Sequence, residues 1–167
     1  AQLLPPENPE PDWTAPAFRW VRRTYMGTVV GRLEAVPHFA HVDVETLIHI
    51  NEQKAQLLTN TEQFVRGLPA NNVLLTGARG TGKSSLIRGC CTRFYEDGLR
   101  LIEVGKDDLC DLADIVRLTS TRPERFIVFC DDLSFELGEG GYKALKAALD
   151  GSVAAGGENL LIYATSN

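Results

Sequence analysis

The chain has 167 residues, 44% of them hydrophobic and 23% charged, which allows one buried core and excludes a disordered or fibrous protein. Its net charge of -5 argues against broad, sequence-blind binding to nucleic acid, which needs many Lys and Arg to displace counterions, and leaves room only for a local basic patch. No apolar run approaches a membrane span and no charged-then-apolar leader opens the chain, so no membrane association is expected.

Five of the eight prolines fall within the first sixteen residues, beside Glu7, Glu10 and Asp12. That stretch reads as an extended arm. Residues 13 to 33 carry Trp13, Phe18, Trp20 and Tyr25 with Arg19, Arg22, Arg23 and Arg32, and no acidic residue. They continue the arm, whose boundary falls at residue 43, with residues 44–167 forming the core. The simplest reading docks the aromatics on the core and leaves the arginines in water. The sharper one is a contact surface for RNA, DNA or an acidic partner.

From Asn51 the pattern turns helical, with Lys54, Leu57, Leu58, Thr61, Phe64 and Val65 on one face and Gly67 and Pro69 as the stop. Val73 to Thr76 predicts a strand, Ser84 to Tyr95 a helix, and Leu99 to Val104 a strand. Asp107 to Leu118 predicts a helix with Leu109, Leu112 and Val116 inward and Asp107, Asp108, Asp111 and Asp114 on a solvated outer face. Phe126 to Cys130 is an apolar strand, Tyr142 to Leu149 is helical, Gly151 to Gly157 is a loop, and Leu160 to Thr165 is a last strand. Such alternation implies an α/β fold, a mainly parallel sheet sandwiched by helices. Cys90, Cys91 and Cys130 sit inside apolar patterns and, with Cys110, form no C-x-x-C pair. They read as reduced thiols of a cytoplasmic protein. A chain that opens on Ala1 and stops at Asn167 straight after a strand-like run reads as a piece of a longer one.

Gly77-Ala78-Arg79-Gly80-Thr81-Gly82-Lys83-Ser84 matches G-x-x-x-x-G-K-[ST] between a predicted strand and a predicted helix. The physics of phosphate binding asks for that context. The glycines let backbone N–H groups approach phosphate oxygens, and the helix adds the positive end of its dipole. Lys83 reaches the outer phosphates, the Ser84 hydroxyl ligates Mg²⁺, and Ser85 follows in the first turn. ATP or ADP with Mg²⁺ is therefore the expected cofactor. The apolar strand ending in Asp131-Asp132 delivers carboxylates to the sheet edge that bears the phosphate loop. Asp131 is assigned to Mg²⁺, and Asp132 to the attacking water. The last strand ends in Asn167, whose amide is a candidate donor to the γ-phosphate or that water. A GTPase is disfavoured, since no N-K-x-D is present and Asp131 does not open a D-x-x-G.

Phosphate loop, acid-tipped strand and Asn-tipped strand, in that order, resemble the AAA+ ATPases, with their Walker A, Walker B and sensor elements. The chain is also similar to a bacterial family known as domain of unknown function 815. The matching stretches are Phe18-Arg-Trp20, Gln53-Lys54, Asn60 to Phe64, Pro69 to Val73, Gly77 to Leu86, Phe129 to Glu136, Tyr142 to Ser152 and Tyr163 to Asn167. The resemblance implies a P-loop NTPase of AAA+ type, cut before the fifth strand and helical lid, with an arginine finger and second sensor lying beyond this chain. It implies ATP hydrolysis in the full-length protein, a homo-oligomer, a catalytic set of Lys83, Asp132 and Asn167, and an adenine pocket at Leu47, Ile48 and Ile50. It names no macromolecular partner. Most AAA+ hydrolases carry Asp-Glu where this chain has Asp131-Asp132, so slow turnover is plausible, with Glu136 a weaker candidate base. Two other readings stay open: an ATP-dependent switch or adaptor with negligible turnover, and a P-loop kinase for a small metabolite.

Overall fold

The computed structural model describes residues 10–36, 51–78, 80–133, 143, 146 and 159–166. Ala17–Tyr25 (β1) and Thr28–Val36 (β2) pair antiparallel in unbroken register from Ala17↔Val36 to Tyr25↔Thr28. The two-residue turn between them, Met26-Gly27, has φ of 49° and 79°. Two left-handed residues give a turn whose twist matches that of the strands it joins.

The remaining strands are Val73–Thr76 (β3), Leu99–Glu103 (β4), Arg125–Leu133 (β5) and Leu160–Ser166 (β6). The six form one sheet in the order β2-β1-β4-β5-β6-β3, and every pairing except β1–β2 is parallel. Alternate residues of the central strands feed two cores, as the period of a strand requires. Phe126, Val128 and Cys130 join Phe18, Trp20, Leu33, Ile102, Leu109, Leu112 and Ile115 on one face. Ile127, Phe129 and Tyr163 join Leu57, Phe64, Leu86, Ile87 and Cys90 on the other.

The helices covering these faces are Asn51–Val65 (α1), Lys83–Arg93 (α2) and Leu112–Thr119 (α3). α1 stops where Gly67 turns left-handed at φ 77° and the Leu68 N–H reaches back to the Gln63 carbonyl. Its one buried polar side chain, Thr61, donates to the Leu57 carbonyl and shares a 2.7 Å hydrogen bond with the Tyr163 hydroxyl, which also accepts from Asn60 at 2.9 Å. The other side of Asn60 takes both backbone groups of Asn71, and Asn72 accepts from the Ile162 N–H. α1 is thereby welded to the start of β3 and to β6, so the phosphate loop leaves a fixed platform. The four cysteines are free thiols, and Cys90, Cys91 and Cys130 are buried. No described helix is long and apolar enough to cross a membrane.

Three expectations change. Residues 17–36 are not an extended arm but two strands of the main sheet, with Phe18 and Trp20 in its core. The adjacent Arg22 and Arg23 break the alternation that Phe18-Arg19-Trp20 begins, and β1 finds its other partner, β4, some eighty residues away. Secondly, the helix predicted from Asp107 begins as a 3-10 turn, Lys106–Asp111, and becomes α-helical only at Leu112. Gly105 enters extended, at φ -64° and ψ 148°, and its carbonyl takes the Asp108 N–H, an i to i+3 bond. Thirdly, Asp108 and Asp111 are not a solvated face. Arg22 binds Asp111 at 3.0 Å and Asp108 at 3.7 Å, and the Trp20 indole N–H donates to Asp111 at 3.0 Å. The predicted helix 142–149 and the loop 151–157 lie outside the described residues, apart from Lys143 and Lys146, which are helical and exposed.

Candidate phosphate-binding site

The segment from Gly77 to Ser84 leaves β3 at the C-terminal edge of the sheet and turns into α2. Gly77, Gly80 and Gly82 have φ of 143°, 77° and 87°, values at which a Cβ brings strain. Gly82 stands left-handed at the head of α2 and its carbonyl accepts the Leu86 N–H. The first N–H groups of α2 have no partner within the helix, and Gly82 aims them into a cavity of about 480 Å³. Gly80, Thr81, Gly82, Lys83, Ser84, Ser85, Asp131, Asp132 and Thr165 line it. Lys83 is buried, and its Nζ donates to the Gly77 and Ala78 carbonyls at 2.6 and 2.8 Å. Thr81 donates to the Ala78 carbonyl at 2.9 Å.

The opposite wall comes from β5 and β6. The Ser84 hydroxyl donates to Asp131 Oδ1 at 2.6 Å, and the Thr165 hydroxyl donates to the same oxygen at 2.6 Å. Thr165 Oγ1 also accepts the Asp132 N–H at 2.8 Å, so one hydroxyl on β6 holds both acids of β5. The register of β5 on β6 shifts between Cys130 and Leu133, where Asp132 is left-handed at φ 57°. Such an irregularity re-aims a side chain at a sheet edge, at a cost in backbone strain. Burial pushes the Asp131 pKa up, but hydrogen bonds from Ser84 and Thr165, the positive Arg88 and the Asp132 N–H outweigh it and hold the carboxyl below its usual range.

Hard oxygen donors from Ser84 and Asp131, meeting at the cavity wall, suit Mg²⁺, which takes one or two protein oxygens and completes its shell with phosphate and water. Among the described residues no three His, Cys, Asp or Glu side chains gather into a metal cluster, and a P-loop cation needs none. Of the residues picked out in the sequence, the fold brings together Gly77, Ala78, Gly80, Thr81, Gly82, Lys83, Ser84, Ser85, Asp131 and Asp132. Arg79, Leu47, Ile48, Ile50, Glu136 and Asn167 lie outside the described residues. Thr165 was missed as a site residue. Its signal is its place near the polar end of β6, where a parallel neighbour of β5 must meet the two acids.

A second cavity, of about 350 Å³, adjoins the first across Asp131 and is lined by Arg19, Trp20, Arg88, Glu103 and Phe129 among others. Glu103 binds Arg88 at 3.0 Å and reaches Arg19 at 3.9 Å, while the Arg88 guanidinium lies 5.4 Å from the centre of the Phe129 ring.

A family model described as a protein of unknown function (DUF815) matches residues 14–167. The chain belongs to that family. The match takes in the hairpin as well as the phosphate loop. Among solved structures the chain is similar to AMPPCP-bound DnaA from Aquifex aeolicus, at 17% identity and TM-score 0.52, covering 75% of this chain and 42% of that one. It is also similar to the Thermotoga maritima RuvB Holliday junction branch migration motor, at 19% identity and TM-score 0.47, covering 75% and 41%. The chain thus spans about two-fifths of the length of these structures. With the parallel sheet and the loop after β3, the likeness to DnaA gives the fold: a P-loop NTPase core of AAA+ type. No curated protein matches the chain.

Proposed function

We propose that this chain binds ATP or ADP with Mg²⁺ at the Gly77–Ser84 loop and that, in the whole protein, it forms an ATP-hydrolysing module acting on a macromolecular partner. The observation that carries this reading is the convergence of Ser84 and Asp131 at 2.6 Å on the cavity that the loop and Lys83 also line. The loop N–H groups and the head of α2 bind the β- and γ-phosphates, and Lys83 exchanges its two carbonyl partners for phosphate oxygens. Ser84 and Asp131 hold Mg²⁺, which when bound offsets the charge of the outer phosphates. Thr165 keeps Asp131 turned toward it. Asp132 takes the proton of the attacking water at its carboxylate, and Asn167 orients that water or the γ-phosphate. Ile48 and Ile50 are the proposed adenine contacts. Support also comes from the similarly folded DnaA structure, which is AMPPCP-bound.

Asp132 is one methylene shorter than Glu and its backbone is tied to Thr165. Both features favour slow turnover, and with it the reading as an ATP-dependent switch. The test is binding of a fluorescent ATP analogue with and without Mg²⁺. Mg²⁺ tightens binding to the wild type, and Ser84→Ala and Asp131→Asn each lose most of that gain. Affinity indifferent to Mg²⁺ in the wild type overturns the assignment of Ser84 and Asp131.

A further inference from the structure

We infer that one face of the β1–β2 hairpin is a binding surface for single-stranded nucleic acid. Residues opposite each other in an antiparallel pair share a face, and same-face positions recur every second residue, about 6.6–6.8 Å apart. On β1 the successive same-face rungs are 19, 21, 23 and 25, and the register sets Arg32 across from Val21. The face therefore presents arginine at three consecutive rungs, Arg19, Arg32 and Arg23, and the exposed Tyr25 at the fourth. A ladder of cations at this step, ending in an aromatic ring, suits an extended phosphodiester strand whose last contacted base stacks on Tyr25.

Arg19 and Arg23 are accessible and loosely held, while Arg32 is 33% exposed with its Nε buried and without a hydrogen-bond partner. Arg19 and Arg23 are 63% and 64% exposed, and their carboxylate contacts, with Glu103 and Glu34, are 3.9 Å long. Arg32 meets the same Glu34 at 3.6 Å. Exposed pairs of this length contribute little to stability, so phosphate can replace them. The opposite face differs: Phe18, Trp20 and Leu33 are buried there, and Arg22 is anchored to Asp111. With four arginines against one glutamate, the hairpin carries +3 on a chain of net charge -5. That contrast confines a polyanion to this element. β1 pairs with β4 only through Arg19 and continues for six residues, about 20 Å at the rise of a strand. The hairpin thus extends past β4 at the end of the sheet that bears the phosphate loop, held to the acidic body on its other face by Trp20 and Arg22 at Asp108 and Asp111.

The experiment is fluorescence anisotropy of labelled 12-nucleotide DNA and RNA single strands with the wild-type chain over a range of salt, without added nucleotide. Both strands bind. In the variants Arg23→Ala and Arg32→Ala, each lost phosphate contact lowers the slope of log affinity against log salt by about 0.7. Tyr25→Ala weakens binding roughly 5- to 150-fold. Lys146→Ala, an exposed lysine elsewhere, changes nothing. Circular dichroism checks that the hairpin variants remain folded. Absence of binding at low salt, or binding indifferent to Arg23, Arg32 and Tyr25, overturns the inference. So does equal capture of a poly-glutamate peptide, which points to an acidic protein, or self-association abolished by the same variants, which points to a second copy of the chain.

Discussion

The phosphate loop and the β1–β2 hairpin stand at the same end of one sheet, on its two opposite flanks, yet they are specified in opposite ways. The loop is local: in eight consecutive residues, Gly77, Gly80 and Gly82 among the described ones turn at positive φ, and the chemistry of the stretch constrains its identity. The hairpin is held by distant partners, β4 along its first three residues, and Asp108 and Asp111 through Arg22. Nothing near Arg22 in sequence marks those acids as its partners. A motif declares its site. A packing element declares itself only once its partners are known.

Changes that separate the two regions follow, largest first. In a longer, active protein Asp132→Asn retains ATP binding and lowers turnover about 10²- to 10⁴-fold, as loss of a general base does. Steady-state kinetics check this, and unchanged turnover moves the base to Glu136. On the hairpin side Trp20→Ala costs about 3–5 kcal/mol of stability in urea unfolding, because a buried ring and its bond to Asp111 are both lost. Gly31→Ala acts on the same ring from β2, since a Cβ there would stand 2.0 Å from the Trp20 ring. It costs about 1–3 kcal/mol, the usual penalty of overpacking. Neither hairpin change alters Mg-ATP affinity of the folded protein. If either does, the two regions are coupled through the cavity that Arg19 and Asp131 share.

Thr165→Val removes the donor to Asp131 and the acceptor of the Asp132 N–H. It weakens Mg-ATP binding roughly 5- to 150-fold, on the order of 1–3 kcal/mol for unsatisfied groups, while Thr165→Ser retains it. Calorimetry on both variants tests this, and wild-type affinity in Thr165→Val would remove Thr165 from the site.

The smallest effect concerns the thiols. Burial pushes Cys90 up to about 11 and Cys130 to about 12, so both stay protonated in the fold while the unfolded chain ionises above about 9. Their contribution to stability is complete below that value and is lost as pH rises toward 11–12. At pH 8 a thiol reagent labels the exposed Cys110 first, and mass mapping of the native protein reads this directly. Early labelling of Cys130 would mean that the end of β5 opens.

Much of the strand and helix order was legible because short β-branched and aromatic apolar runs such as Phe126 to Cys130, bounded by polar turns, fit buried strands better than helices. Thr165 was not, because its role depends on the parallel register that sets β6 beside Asp131. The sharp turn at Asp132 was equally hidden, since a left-handed aspartate leaves no trace in the one-letter pattern. The hairpin escaped because Met26-Gly27 is a weaker turn signal than Asn-Gly and because the run Arg22-Arg23-Thr24 breaks the apolar alternation along the outer half of β1.

The central claim, that the Gly77–Ser84 loop is a phosphate site for ATP, is tested most directly by titrating Mg-ATP and adenosine into the wild type and Lys83→Ala. Lys83 meets phosphate and not base, so its loss weakens Mg-ATP by about 1.5–3 kcal/mol, roughly 10- to 150-fold, and leaves adenosine unchanged. Equal affinity of both proteins for Mg-ATP would contradict the account.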